Sequence, residues 1–180
     1  LSPGDAAFEQ HAPAFQGDGA WVARVGGASR AESVANGLQE LLARGAQPHD
    51  WVLVHDAARC LLRPEWVERL IEACDDDEVG GLLALPLADT LKAAVQGSTG
   101  EARAQQTVDR TAKWAAQTPQ MFRLGLLQPA LTAALSSPET AAAVTDEASA
   151  IEMLGHAPRL VTGDFENIKL TWPGDFALAE

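Results

Sequence analysis

The sequence predicts an α/β domain with three layers, in which helices cover both faces of a mostly parallel sheet. Two short, continuous apolar runs, at residues 51–55 and 79–86, are typical of buried parallel strands. Amphipathic helical patterns alternate with such runs along the chain, and this alternation indicates the α/β class. The 180 residues suit one domain, so we expect a single domain over 1–180.

The first long helix is marked at both ends. Residues 29–32 (SRAE) match a capping box, in which Ser29 caps the helix and Glu32 reaches back. Gly45 is expected to end this helix, because glycine adopts the backbone conformation that follows many helices. Pro64 is expected at the first position of the next helix, where its missing N–H costs nothing.

Shorter patterns predict the remaining elements. We expect strands at residues 21–25, 159–162 and 168–171, a helix at 124–135 that bends or restarts near Pro129, a helix capped by Thr145, and a last helix over 173–180. The stretch QTPQ at residues 117–120 is predicted to be a polar turn.

The stretch from Leu87 to Val108 differs from the rest. It is polar, with Gly97, the pair Ser98-Thr99 and Gly100 near its middle, which predicts a protruding β-hairpin arm over about 87–111. An isolated two-stranded hairpin is only marginally stable in water. We therefore expect the arm to pair with that of a second copy in a homodimer.

The composition limits the partners. Thirteen Lys and Arg face twenty-five Asp and Glu, giving a net charge of −12, which argues against nucleic-acid binding. The apolar runs are far shorter than the ~20 residues of a membrane span, so no membrane association is expected. Cys60 and Cys74 lack a metal-ligand spacing and are expected to be free thiols in the cytoplasm. No complete dinucleotide or Walker A motif occurs.

Ligands of such sheets bind beyond the carboxyl ends of the strands. Asp56 follows a buried strand there and can hold a divalent metal; the alternative is a turn-capping Asp paired with Arg59. Gly26-Gly27 leads into a helix N-terminus that can receive a phosphate, or is a structural turn. Lys169 lies in an apolar stretch, either for function or as an edge residue that blocks aggregation.

Five blocks in this order resemble the 2-C-methyl-D-erythritol 4-phosphate cytidylyltransferase family, and the resemblance covers nearly the whole chain. The blocks are VLVHDAAR (52–59), TVDR (107–110), TPQ (118–120), TDEAS (145–149) and NIK (167–169). The resemblance implies a Rossmann-like nucleotidyltransferase of isoprenoid precursor synthesis. Such an enzyme joins CTP to 2-C-methyl-D-erythritol 4-phosphate with the assistance of Mg²⁺ and releases pyrophosphate.

The resemblance also implies roles for individual residues. Catalytic roles fall to Lys169, Asp56 and Arg110, and Asp56 is the expected metal ligand. Lys169 is expected to stabilise the reacting phosphate. The implied substrate-binding residues are Gly26, Gly27 and Ser33 on the cytosine and ribose side, Arg59, Thr118 and Thr145 in the site, and Thr90, which with Arg110 reaches the acceptor phosphate in the neighbouring subunit.

Three features depart from the family's pattern. Its first strand, its glycine-rich loop with an essential Arg, and the Lys that follows are expected to precede Leu1, so the chain resembles a family member without its N-terminal segment. Ala28 stands where an acidic residue is common. Cys60 replaces a Pro, which is expected to loosen the turn.

Two alternative functions stay open on the sequence. One is a cytidylyltransferase for another sugar-alcohol phosphate such as ribitol 5-phosphate, although TDEAS at 145–149 is more similar to the methylerythritol enzymes. The other is a non-catalytic domain that binds a nucleotide or a partner, against which the retention of Asp56, Arg110 and Lys169 argues. A nicotinamide-dependent dehydrogenase is disfavoured because its glycine motif is absent.

Overall fold

The computed structural model describes residues 1–12, 19–97 and 99–179. Ser98 and Glu180, which the predicted arm and last helix include, lie outside these ranges. The helices are α1 (Phe8–His11), α2 (Arg30–Ala43), α3 (Pro64–Cys74), α4 (Leu124–Ala134), α5 (Pro138–Ala143) and α6 (Glu147–Met153), followed by a 3-10 helix at Pro173–Leu178. The strands are β1 (Trp51–Val54), β2 (Gly80–Pro86), β3 (Leu91–Gln96), β4 (Ala102–Val108), β5 (Trp114–Arg123) and β6 (Arg159–Thr162).

The main sheet has the strand order β1-β5-β2-β6. β6 is parallel to β2, and β5 runs antiparallel between β1 and β2, so three of the four strands share one direction. The predicted turn at 117–120 is wrong, because these residues lie inside β5. The polar side chains of Gln117, Thr118 and Gln120 are buried in this strand, so the strand lacks the continuous apolar run that marks β1 and β2.

Two apolar clusters on opposite faces of the sheet confirm the three layers. On one face Leu82 and Phe122 pack with residues of α2, α4 and α6. On the other face their chain neighbours Leu83 and Met121 pack with Trp66 and other residues of α3. Successive residues of a strand point to opposite faces, so β1, β2 and β5 each contribute to both clusters.

The end signals predicted for α2 and α3 are confirmed, whereas the predicted cap of α6 is wrong. Ser29 Oγ accepts a hydrogen bond from the Glu32 backbone N–H at 3.1 Å, and Glu32 reaches back to complete the capping box. Gly45 has φ +99° just beyond α2, and Pro64 begins α3. Thr145 does not cap α6; Asp146 does, with its Oδ1 2.9 Å from the Ser149 N–H.

Other expected elements are corrected. Residues 21–25 and 168–171, all described, form no strand. The first segment instead exchanges backbone hydrogen bonds with Leu1, at Ala23 and Gly26. α4 runs without interruption through Pro129. The final segment forms a 3-10 helix, and α5 was not predicted.

The predicted hairpin is confirmed. β3 and β4 form a separate antiparallel sheet, in which Leu91 pairs with Val108 and Gln96 with Ala102. Most of their side chains are exposed, including Val95 at 42%. The role of this arm in dimerisation stays a prediction. Among the described residues, no helix has the length and apolarity needed to cross a membrane.

Candidate active site

A cavity of about 160 Å³ opens beyond the carboxyl end of β1. Its lining residues are mostly polar or charged and come from distant parts of the chain: Arg30, Asp56, Arg59, Ala116, Gln117, Thr118, Gln120, Thr145, Asp146 and Lys169. A larger cavity of about 370 Å³, lined by Leu61, Phe165 and other mainly apolar residues, contains no residue predicted to bind or react. The convergence of charge therefore identifies the smaller cavity as the site.

Asp56 is held between two cations. Its Oδ1 accepts a hydrogen bond from Arg30 Nε at 2.9 Å, and its Oδ2 lies 2.9 Å from Lys169 Nζ. Burial raises the pKa of Asp56, but the hydrogen bonds from Lys169 and Arg30 together outweigh burial and hold the pKa below its ordinary value. Asp56 is therefore a carboxylate at neutral pH.

Arg30 connects Asp56 to a second carboxylate. Its guanidinium donates two parallel hydrogen bonds to Glu147, Nη1 to Oε1 at 2.7 Å and Nη2 to Oε2 at 2.9 Å, and the Glu147 side chain is 0% exposed. Burial lowers the pKa of Arg30, but the two carboxylates raise it by more, to above its ordinary value. Lys169, Asp56, Arg30 and Glu147 thus form a row of alternating charges.

The turn after β1 is fixed by a network of hydrogen bonds. Thr118 Oγ1 accepts a hydrogen bond from the Asp56 backbone N–H at 3.0 Å and lies 3.0 Å from His55 Nδ1. His55 Nε2 lies 3.0 Å from the Arg59 carbonyl oxygen. A carbonyl only accepts, so Nε2 carries a proton, and in the neutral ring Nδ1 accepts from the Thr118 hydroxyl. These bonds orient Asp56 towards the cavity.

Arg59 ties the Lys169 segment to the same turn. Its guanidinium donates to the carbonyl oxygens of Asn167 and Ala116, and burial lowers its pKa. The Leu170 N–H also donates to the Ala58 carbonyl at 2.9 Å. The Arg59 guanidinium is therefore not the ion-pair partner of Asp56 that the alternative interpretation expected, although the Arg59 N–H donates to the Asp56 carbonyl at 2.9 Å. Lys169 reaches the cavity from a tethered loop rather than from a strand.

A buried polar floor completes the cavity. Gln120 donates to Asp146 Oδ2 at 2.8 Å and accepts from the Ala148 N–H at 2.8 Å, while Asn167 Nδ2 donates to the Thr118 carbonyl at 2.9 Å. Sequence reasoning did not predict a site role for Gln117, Gln120, Asp146, Glu147 or Arg30. Arg30 stood inside the capping-box stretch, and Asp146 and Glu147 inside the block at 145–149, so their positions were visible but their convergence was not.

The cavity brings together half of the predicted site residues: Asp56, Arg59, Thr118, Thr145 and Lys169. Thr90 and Arg110 do not line it; they are exposed and lie together at the base of the arm, beside the pair Leu91 and Val108. Their contact with substrate stays a prediction.

Gly26 and Gly27 lie in the turn before α2 and Ser33 lies in the first turn of α2, all outside the cavity. The Gly27 N–H donates to Ser33 Oγ at 3.0 Å, and the Ser33 hydroxyl donates to the Ser29 carbonyl at 2.8 Å. A Cβ on Gly27 would lie 2.4 Å from the Glu32 Cβ. Close packing against Glu32 therefore explains the glycine at position 27. The binding of a nucleotide by Gly26, Gly27 and Ser33 stays a prediction.

The predicted magnesium ion would need ligands from a nucleotide as well as from the protein. Within the described ranges, no group of three or more His, Cys, Asp or Glu side chains can hold a metal ion. Mg²⁺ is commonly bound by one or two carboxylates together with substrate phosphates. Asp56 supplies one such carboxylate at the cavity.

The family model for IspD, 2-C-methyl-D-erythritol 4-phosphate cytidylyltransferase, matches residues 9–180. The chain belongs to this family. A cytidylyltransferase of this name from Laribacter hongkongensis is 59% identical over 158 residues, which cover 88% of this chain and 64% of the relative. The corresponding protein of Burkholderia cenocepacia is 51% identical over 180 residues, 100% of this chain and 73% of the relative.

Some IspD relatives are much longer than this chain. A bifunctional IspD/IspF enzyme from Albidiferax ferrireducens is 56% identical over 159 residues, which cover 88% of this chain but 35% of the relative. The chain thus spans less than two thirds of both the Albidiferax and the Laribacter protein.

Solved structures show the same fold. A 4-diphosphocytidyl-2C-methyl-D-erythritol synthase superposes with a TM-score of 0.84 at 46% identity, covering 99% of this chain and 76% of that chain. The 2-C-methyl-D-erythritol 4-phosphate cytidylyltransferase of Thermus thermophilus gives 0.69 at 31% identity, with 99% and 89% covered. The predicted fold class and IspD family membership are confirmed.

Proposed function

We propose that the protein carrying this chain transfers a cytidylyl group from CTP to 2-C-methyl-D-erythritol 4-phosphate in isoprenoid precursor synthesis. A phosphate oxygen of the acceptor attacks the α-phosphorus of CTP and forms a new P–O bond. The bond from that phosphorus to the bridging oxygen breaks, and pyrophosphate leaves with the electron pair. The products are 4-diphosphocytidyl-2-C-methyl-D-erythritol and pyrophosphate.

The observation that carries this proposal is the convergence of Lys169, Asp56 and Arg59 on one cavity in a member of the IspD family. Phosphoryl transfer depends on positioning and on cations that meet the developing negative charge. The Lys169 side chain is 46% exposed, and its contact with Asp56 occupies one of three N–H donors. The remaining donors suit it to contact a phosphate at the reacting centre.

We assign the metal ligand to Asp56. Asp56 would help to hold Mg²⁺, and the ion would neutralise charge on the nucleotide. The buried Thr118, which fixes the Asp56 backbone at 3.0 Å, keeps the carboxylate at the cavity whether or not Lys169 is engaged with a phosphate.

The substrate side includes residues outside the cavity. Gly26, Gly27 and Ser33 are proposed to face the cytosine and ribose. Thr90 and Arg110, from the arm of a second copy, are proposed to bind the acceptor phosphate in a homodimer. The exposure of the arm supports this assignment, because its strands are largely without cover in one copy.

We also propose that the protein acts in the cytoplasm. Cys60 is exposed, Cys74 is buried, and both are free thiols. Unpaired cysteines are usual where the cellular environment keeps thiols reduced. Thiol titration under denaturing conditions, without reductant, should detect both; detection of neither would contradict this location.

The test is pyrophosphate release by a full-length form, meaning the complete protein in which this chain occurs. CTP with 2-C-methyl-D-erythritol 4-phosphate should support turnover, and ribitol 5-phosphate should not under matched conditions. Asp56→Asn should lose most of the activity. Preference for ribitol 5-phosphate would replace the proposed acceptor, and inactivity with both acceptors would refute the proposed function.

A further inference from the structure

The proposed reaction leaves one charged group unexplained. Glu147 is a fully buried carboxylate that does not line the reactive cavity, yet it takes two parallel hydrogen bonds from Arg30. Burying an ion pair is costly, and replacing such a pair by apolar residues often leaves stability unchanged or improved. A contribution to stability is thus a weak explanation for this pair, whereas control of geometry is a stronger one.

The contacts of Arg30 show what is controlled. Glu147 engages Nη1 and Nη2, which directs the Nε edge of the planar guanidinium towards Asp56 Oδ1 at 2.9 Å. With Oδ1 held there, Oδ2 faces Lys169 Nζ at 2.9 Å. Only the fork of an arginine meets two carboxylates in this way, since a lysine ammonium is a point charge without fixed orientation.

Three parts of the fold fix the pair. Arg30 is the first residue of α2, next to its capping box, and Glu147 is the first residue of α6. The beginning of α6 is tied to β5, because Gln120 accepts from the Ala148 N–H and donates to Asp146. The guanidinium is therefore placed relative to the sheet that carries Asp56.

We propose that Arg30 is a positioning residue that sets the orientation of the Asp56 carboxylate and, through it, of Lys169, with Glu147 holding the guanidinium in place. This inference rests on the proposed function. Arg30 acts through Asp56 rather than on the nucleotide, so its loss should impair the chemical step more than the binding of CTP.

The first measurement is kcat and KM for CTP in full-length Arg30→Met. We expect kcat to fall by about 10- to 100-fold, as when outer residues that orient a site are lost, and KM to change by less than about threefold. Arg30→Lys should not restore kcat. Arg44→Met is the matched control: it removes an ion pair with Glu40 just beyond the other end of α2 and should leave both constants unchanged.

The single change leaves Glu147 buried without its partner, which threatens folding. Arg30→Met combined with Glu147→Gln removes both charges and avoids this problem. It should show the same loss of kcat with a circular dichroism spectrum like that of the wild type.

A double-mutant cycle separates positioning from a general structural role. In an Asp56→Asn background, Arg30→Met should lower kcat by less than about threefold further, because both changes act on the same carboxylate. The inference would be overturned if the losses of kcat from Arg30→Met and Asp56→Asn multiplied. It would also be overturned if the Arg30→Met/Glu147→Gln variant had a normal kcat while the wild type was active. A wild type inactive with both acceptors would instead reject the proposed function.

Discussion

In the cavity, charged side chains are held by partners far away in the sequence, whereas in the arm they are held by near neighbours. Arg30 and Glu147 are 117 positions apart, and their side chains are 32% and 0% exposed. Arg103 and Glu101 are two positions apart, and their side chains are 71% and 36% exposed. The geometry of the cavity is thus a product of the whole domain, while the arm is locally organised and open to a second surface.

The largest expected effect is the loss of Lys169 from the cavity. In the full-length form, Lys169→Ala should lower kcat by ~100-fold or more, the scale seen when one donor to a developing negative charge is removed. Lys113→Ala, an exposed lysine close to the base of the arm, is the matched control and should retain activity. Near-normal turnover by the Lys169 variant would exclude Lys169 from the chemical step.

Subunit mixing tests whether the arm completes the cavity of another copy. Arg110→Ala and Lys169→Ala homodimers should each be nearly inactive. A heterodimer should regain about half of the wild-type activity, because one of its two sites receives both wild-type residues and the other neither, given two-fold pairing. If heterodimers form and no activity returns, Arg110 does not act across the interface.

Glycine substitutions compare the packing of the two regions. Alanine at Gly27 would bring its Cβ 2.4 Å from the Cβ of Glu32, whereas alanine at Gly97 would meet only the flexible carboxylate end of Glu101. We expect Gly27→Ala to lower the free energy of unfolding by about 1–3 kcal/mol and Gly97→Ala by about 0.5 kcal/mol or less. Chemical denaturation of both variants measures this; equal losses would contradict the comparison.

The smallest effect concerns how salt acts on two carboxylates. Hydrogen bonds from Thr99 and Arg103 lower the pKa of Glu101 to about 2, and its side chain is 36% exposed, against 14% for Asp56. The pKa of Asp56 is also lowered, but within the cavity. At 1 M salt the Debye length is about 3 Å, and salt weakens the interactions of exposed charges more than those of buried charges. Carboxyl ¹³C NMR titration should show a larger upward shift for Glu101 than for Asp56.

The sign of the accompanying stability effect is the same for both groups. A carboxyl whose pKa is lowered by folding stabilises the fold above its ordinary pKa, and this stabilisation is lost as pH falls through the folded value. For Asp56 the loss lies below its ordinary value of 3.8. Asp56→Asn should therefore have a flatter dependence of unfolding temperature on pH in that acidic range, and an unchanged dependence would show that the two cations do not stabilise the ionised form.

The features predicted correctly from the sequence are those that neighbouring residues specify. The capping box at Ser29 and Glu32, the ends at Gly45 and Pro64, the apolar run of β1 and the hairpin were all predicted correctly, because their signals lie within a few residues. The family blocks also marked Asp56, Arg59, Thr118, Thr145 and Lys169, which the fold brings to one cavity.

The hydrogen-bond partners of the buried polar residues, in contrast, depend on the folded arrangement of distant segments. Part of β5 was predicted to be a turn because Gln117, Thr118 and Gln120 are polar, and their burial depends on partners such as Asp146, 26 positions beyond Gln120. The meeting of Arg30 with Glu147 has no local signature at all. A hydrogen bond between distant segments depends on their approach in space, and no periodic pattern encodes it.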